Sequence, residues 1–139
     1  MKTNLKKKFQ ISLRRFYSTN SPCKEITKYV GINKNEFIQY INENLINGMT
    51  IENFGSVWSL DHIVPIDLFN LNDENELLIG YSYLNILPMF INDNRLKGAS
   101  VHFSVLKLNK LKETYNNKTI DILLEKCNNH ISIVYDKYL

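Results

Sequence analysis

Apolar positions in the first third of this chain follow the spacing of an α-helix. Over residues 4–17 they recur every three or four positions, which places them on one helical face: Leu5, Phe9, Leu13 and Phe16. The turn-type stretch 18–22 predicts the end of this helix. Asn33 and Glu36 have capping-box spacing, so a second helix is expected from there to about Asn47, closed by Gly48.

The middle of the chain changes to short strand-type runs. Residues 57–60 and 63–64 are two such runs, and Pro65 limits how far the second can pair. The acidic stretch 68–76 predicts a loop or the start of a short helix. Residues 81–89 are again apolar and aromatic, with Pro88 expected as a break. Strands in this region and helices around it predict an α+β fold.

Helical spacing returns after this central region. Asn92 or Asp93 is expected to cap a helix that begins near Asn94 and that Gly98 ends or weakens. Two longer helices are predicted over 101–115 and 119–138, with Cys127 on the apolar face of the latter. We therefore expect a single domain with three parts: a basic amino-terminal helix or arm (1–22), a core (23–100) and carboxy-terminal helices that pack on it (101–139).

Composition narrows the class of protein. The chain has 139 residues, of which 44% are hydrophobic, enough to bury a real core in one domain. Its apolar runs are shorter than the roughly 18 to 20 residues of a membrane-spanning helix, so no membrane partner is expected. Cys23 and Cys127 each lack a nearby second cysteine, which argues against structural zinc or a disulfide framework and favours an intracellular location.

Positive charge is concentrated at one end of the chain. Residues 1–24 contain seven lysines and arginines and no acid, whereas the remainder has ten bases against fourteen acids, a net charge of −4. Lys6, Lys7, Arg14 and Arg15 lie largely off the apolar stripe. This basic segment is interpreted as a surface helix with solvated bases, as a contact for the phosphates of DNA, or as a targeting peptide.

The chemistry-bearing residues cluster between Trp58 and Gly98. Asp61 and His62 are adjacent, and Asn85 and Asn94 follow. A carboxylate or amide oxygen suits a hard divalent cation, and an imidazole can take a proton from water near neutral pH. These residue types are suited to metal-dependent cleavage of a phosphodiester.

The order of these motifs resembles that of the HNH endonucleases, in particular the small phage and virus-type members. The matching segments lie between about residues 23 and 100 and read GMTIENFGSVWSLDHIVP, YLNILPMF and NDNRLKG. The resemblance implies a ββα-metal core, a hairpin followed by a helix that together hold one divalent ion. Many relatives also carry paired zinc-binding cysteines, and this chain does not, so apolar packing from flanking helices is expected to brace the hairpin.

The resemblance also implies a role for each matching residue. Asp61 and Asn94 would be ligands of the metal ion, His62 the general base and Asn85 the asparagine that orients the site. Because both ligands are oxygen donors, Mg²⁺ or Mn²⁺ is expected rather than zinc. Lys97 shares a helical face with Asn94 and could reach the phosphate, whereas Arg95 would hold the flanking backbone.

The expected function is hydrolysis of DNA, with duplex DNA as the expected substrate and one strand cut per active site by a monomer or homodimer. Two alternatives stay open: a non-catalytic DNA-binding or structural module that retains the HNH scaffold, and a nuclease directed at RNA.

The catalytic interpretation makes one demand on the geometry of the hairpin. Neighbouring strand residues point to opposite faces, so Asp61 and His62 can meet one phosphate only if the hairpin twists or bulges there.

Overall fold

A computed structural model describes residues 2–21, 23–93 and 102–138 of the chain. Its elements, in chain order, are α1 (Lys2–Ser18), α2 (Lys24–Val30), α3 (Lys34–Glu43), β1 (Trp58–His62), α4 (Glu74–Gly80), β2 (Ile86–Phe90), α5 (His102–Thr114) and α6 (Lys118–Tyr138). Short 3-10 turns span Ile66–Leu68 and Tyr83–Asn85. The α+β class is confirmed: helices surround a small antiparallel sheet formed by β1 and β2.

Helix α1 is part of the core. Phe9, Leu13 and Phe16 are almost completely buried, as the sequence spacing predicted. The helix ends at Ser18, whose hydroxyl donates to the Arg14 carbonyl at 2.7 Å, so the predicted end at this turn is also confirmed. The charged side of α1 is left at the surface by this arrangement.

Helix α3 begins as predicted and ends early. The Glu36 N–H donates to the Asn33 side chain at 2.8 Å, and the Asn33 N–H donates to the Glu36 carboxylate at 3.3 Å, which completes the capping box. The predicted end at about Asn47 is wrong, since the last helical residue is Glu43. The Asn44 side-chain amide donates to the Tyr40 carbonyl at 2.7 Å, and this bond competes with a further helical turn.

The β-hairpin differs from the predicted strands in two respects. β1 is one strand that contains Asp61 and His62, and residues 63–64 bend away from it. They leave the strand ladder because Asn85 takes both their N–H groups, as described below. Pro88 does not break β2 but lies inside it, opposite Leu60. Proline has no backbone N–H to donate to a neighbouring strand. It is tolerated in a strand at positions where the N–H would not take part in a hydrogen bond of the sheet.

The helix expected to begin near Asn94 starts earlier. Residues 91–93 are helical and follow β2 directly, so Asn92 and Asp93 are themselves helical and are not caps that precede a helix. Asn94 and Gly98, the predicted start and end, lie outside the described residues. The Ile91 N–H donates to the carbonyl of Val57, the residue before β1, at 3.0 Å. This hydrogen bond holds the first helical residue after β2 close to the start of β1.

One continuous cluster of buried side chains joins α1 through α6 around the hairpin. The two predicted carboxy-terminal helices are confirmed within a residue at their described ends, and Cys127 is fully buried in the core. The apolar side chains of the hairpin pack into this cluster as the expected brace requires: Trp58, Leu60, Ile63, Ile86 and Leu87 are buried, and Phe54 and Phe90 are partly buried. In the described parts of the chain, no helix is both long and apolar enough to cross a membrane.

Candidate functional site

Asn85 joins the two strands of the hairpin at the end where Asp61 and His62 lie. It is fully buried, and its side-chain oxygen accepts from the Val64 N–H at 2.8 Å. Its amide nitrogen donates to the carbonyls of Val64, at 3.2 Å, and Gly80, at 2.8 Å. Its own backbone carbonyl accepts from the Ile63 N–H at 2.8 Å. One asparagine thus fixes the chain just after β1, the end of α4 and the start of β2.

His62 lies on the buried face of β1. The strand alternates between buried and half-buried residues, and His62, 6% exposed, shares its face with Trp58 and Leu60. Its imidazole packs edge-on against the ring of Tyr81, with centroids 4.9 Å apart and an interplanar angle of 89°. This contact and the strand backbone hold the imidazole in a defined orientation.

Asp61 lies on the other face of the same strand and is half-buried. The β1–β2 register is continuous, with Asp61 opposite Leu87 and His62 opposite Ile86, so the hairpin has no bulge at this pair. Of the two routes that would let both side chains meet one phosphate, a bulge is therefore excluded, and twist at the end of the strand is the one that this register allows.

A hard divalent ion is compatible with the donors at this end of the hairpin. Among the described side chains, no three of the His, Cys, Asp and Glu types gather into a metal cage. Mg²⁺ does not require such a cage, because proteins hold it with one or two carboxylates, water and substrate phosphates. Asp61 provides a carboxylate at a half-buried position of β1. The other predicted ligand, Asn94, lies outside the described residues, as do Arg95 and Lys97.

Side chains from three helices bind backbone carbonyls of the hairpin region. Gln10 of α1 donates to Leu60 at 3.3 Å, Tyr40 of α3 donates to Ile86 at 3.2 Å, and Ser104 of α5 donates to Ile63 at 2.5 Å. These polar contacts were not predicted, since a lone Gln, Tyr or Ser in a helix carries no sequence signal for a distant carbonyl. They add to the apolar brace and fix the residues on both sides of Asp61 and His62.

The basic residues of α1 differ in how they are engaged. Lys6 forms an ion pair with Asp67 at 3.0 Å, which ties the helix to the turn that follows β1. Lys7, Arg14 and Arg15 are exposed. An open depression of about 410 Å³ lies on the same helix, lined by Lys7, Lys8, Ile11, Ser12 and Arg15. Because Gln10 contacts β1, this basic surface is attached directly to the strand that carries the candidate site.

Comparison with known proteins identifies viral relatives. The chain is 29% identical over 106 residues to the uncharacterized protein L426 of Acanthamoeba polyphaga mimivirus, covering 76% of this chain and 47% of that protein. It is 30% identical over 88 residues to the uncharacterized protein L246 of the same virus, covering 59% of this chain and 38% of that protein. The chain thus matches less than half the length of either relative. No family model and no solved structure matches it significantly.

Proposed function

We propose that this chain is a metal-dependent endonuclease of the HNH type that hydrolyses phosphodiester bonds in duplex DNA. The observation that carries the proposal is the set of hydrogen bonds made by Asn85. Its buried side chain holds the end of β1 and the start of β2 in place, which is the orienting role that the resemblance assigns to this asparagine. A loop asparagine that merely capped a turn would not need three buried side-chain bonds.

In this proposal His62 is the general base that removes a proton from the attacking water. A general base contributes only if its ring is correctly oriented, and the strand backbone and Tyr81 restrict the orientation of the imidazole. The residues following His62 are equally restricted, because Asn85 binds the backbone of Ile63 and Val64. These contacts support a site whose geometry is set before the substrate binds.

Asp61 and Asn94 would hold one Mg²⁺ or Mn²⁺ ion. When bound, such an ion offsets negative charge on the phosphate and on the leaving 3′ oxygen. Asp61 supplies the oxygen chemistry that these ions prefer, and it lies at a half-buried position of β1. Arg95 and Lys97 would contact the phosphates next to the cut.

The exposed bases of α1 would bind the DNA backbone near the site. Lys7, Arg14 and Arg15 are free to approach phosphates, whereas Lys6 must first exchange its partner Asp67. One active site cuts one strand, so a monomer nicks the duplex, and a double-strand break requires a homodimer or two successive cuts.

A plasmid assay tests the catalytic proposal. Supercoiled DNA is incubated with Mg²⁺ or Mn²⁺ and wild-type protein, with His62→Ala, or with His130→Ala, a histidine outside the motif. We expect wild type and His130→Ala to nick the plasmid and His62→Ala to be slower by about 10² to 10⁴-fold, the usual contribution of a general base. Excess EDTA should stop the reaction.

Three outcomes would contradict the proposal in different ways. Equal nicking by wild type and His62→Ala would remove the catalytic role of the histidine. A wild-type protein that shifts DNA on a gel but never cuts it would be a non-catalytic DNA-binding module. Faster digestion of single-stranded RNA than of duplex DNA, measured side by side, would identify an RNA-directed nuclease.

A further inference from the structure

Tyr81 carries a polar group that the fold does not use. Its side chain is fully buried, and among the described residues its hydroxyl has no hydrogen-bond partner. Leaving a hydroxyl buried and unbonded lowers stability, whereas a phenylalanine of nearly the same shape would avoid that cost. The hydroxyl therefore calls for a reason other than packing.

The ring of Tyr81 is sufficient for packing at this place. It contacts Phe9 at a centroid distance of 5.0 Å and the imidazole of His62 at 4.9 Å. A phenyl ring would make both contacts equally well. Tyr81 follows α4 directly, and the last residue of that helix, Gly80, is held by Asn85, so the position of the ring is fixed by the same contacts that shape the site.

The hydroxyl remains protonated under ordinary conditions. Burial, followed by the nearby negative charge of Asp67, raises the pKa of Tyr81 to about 12. A neutral phenol beside His62 is consequently a hydrogen-bond donor at any pH at which the protein is expected to act.

We infer that Tyr81 is a positioning residue for His62. Its ring fixes the plane of the imidazole, and its hydroxyl, which is sealed from solvent in the free protein, gains an acceptor within the protein once nucleic acid is bound. This inference rests on the proposed function. It predicts that the hydroxyl reduces the stability of the substrate-free protein and contributes to the turnover of the complex.

Two matched substitutions separate these effects. Tyr81→Phe removes the orphan hydroxyl. Tyr29→Phe is the control, because Tyr29 also packs on Phe9, at 5.3 Å, but its hydroxyl donates to Glu74 at 3.1 Å. We expect Tyr81→Phe to unfold at the same temperature as wild type or higher, and Tyr29→Phe to unfold about 3 °C lower.

Turnover gives the second measurement. With plasmid DNA and Mg²⁺, Tyr81→Phe should lower kcat by about 10- to 100-fold while KM changes by less than about twofold. Without the bond that the hydroxyl gains in the complex, the ring no longer holds the imidazole in place there, and a misplaced base impairs the reaction more than binding. Tyr29→Phe should leave kcat unchanged. A third variant, Tyr81→Leu, tests the ring: loss of the aromatic ring should shift the His62 imidazole proton signals in NMR spectra of the metal-free, DNA-free protein.

The results separate the inference about Tyr81 from the proposed nuclease function. Tyr81→Phe would contradict the inference if it unfolded as early as Tyr29→Phe, since the hydroxyl would then have a structural partner, or if it kept wild-type kcat. Unchanged His62 signals in Tyr81→Leu would contradict the ring contact. If wild type does not cut any nucleic acid, the proposed function and this inference both fail. If wild type cuts and Tyr81→Phe cuts equally well, only the inference fails.

Discussion

The junction around Asn85 and the outer face of α1 use polar groups in opposite ways. At the junction the polar atoms are buried, and Asn85 makes three side-chain hydrogen bonds to backbone groups. On α1, the side chains of Lys7, Arg14 and Arg15 are exposed. Both regions belong to the proposed DNA site, yet the first shapes it and the second would attract the substrate.

The physical difference lies in how strongly water competes with each group. A buried hydrogen-bonding group that loses its partner cannot find water, so its loss lowers the free energy of unfolding. An exposed cation is already solvated and acts at a distance that salt shortens. Substitutions at the junction should therefore change stability, and substitutions on α1 should change salt-dependent affinity.

The largest effect is expected for Asn85→Ala. The substitution removes the three side-chain hydrogen bonds of Asn85 and leaves the Val64 N–H and the carbonyls of Val64 and Gly80 buried without them. We expect the free energy of unfolding, measured by urea denaturation, to fall by about 4 kcal/mol. Asn53→Ala is the control, because Asn53 also binds the backbone through both side-chain atoms but at the surface. Equal losses in the two variants would remove the distinction between buried and exposed positions.

The double substitution Arg14→Ala/Arg15→Ala is expected to have a smaller effect, on the salt dependence of DNA binding and not on stability. Stability should change little, but the slope of log affinity for duplex DNA against log salt should fall by about 2, because each phosphate contact contributes about 0.9. The double variant Lys110→Ala/Lys118→Ala removes the same charge from exposed positions in α5 and α6. If both double variants lower the slope equally, α1 has no special role in binding DNA.

The smallest effects are expected at the ion pairs of α4, which lie between these extremes. Glu76 pairs with Lys126 at 2.7 Å where both side chains are at most 30% exposed, and the ammonium lies 4.8 Å from the Phe69 ring. Glu76→Gln should cost about 1 kcal/mol of stability in urea denaturation. Glu74→Gln removes an exposed ion pair with Lys28 and should lower the free energy of unfolding by less than Glu76→Gln does. The reverse order would mean that burial does not determine the strength of these pairs.

The exposed pair also has a predicted pH dependence. The hydrogen bond from Lys28 lowers the pKa of Glu74 below its usual 4.5, so its stabilising effect is present above that value and lost as the pH falls. The hydrogen bond to Glu74 raises the pKa of Lys28 above 10.5, so its contribution is present below that value and lost as the pH rises. Wild type and Glu74→Gln should consequently differ in stability between the lowered pKa of Glu74 and the raised pKa of Lys28. The difference should disappear below the first pKa and above the second.

Much of the helical framework could be predicted from local patterns. The apolar stripe of α1 and the capping box of α3 are properties of residues three or four positions apart, and both were confirmed. The limits of β1 and β2 could not be predicted in the same way. β1 ends at His62 because Asn85, more than twenty positions later, takes the next two N–H groups, and Pro88 is accommodated because of where β2 lies in the sheet.

The candidate site shows the same division. The sequence singled out Asp61, His62 and Asn85 by residue type and order, and the fold brings them to one end of the hairpin. It did not indicate Tyr81, Gln10 or Ser104, because their partners are distant in sequence and their residue types are common in ordinary cores and helices. Nor did it decide between a twist and a bulge at Asp61 and His62.

By itself, then, the sequence determined the longer helices, though not α2 or the end of α3, together with the apolar core and the residue types that the proposal assigns to phosphodiester chemistry, since these depend on composition and on spacing within a turn or two. The tertiary structure decided which face of β1 carries His62, which polar groups Asn85 satisfies and which hydroxyl is left over at Tyr81. These features depend on pairings across long stretches of chain, and burial, which sets their energies, exists only once those stretches have come together.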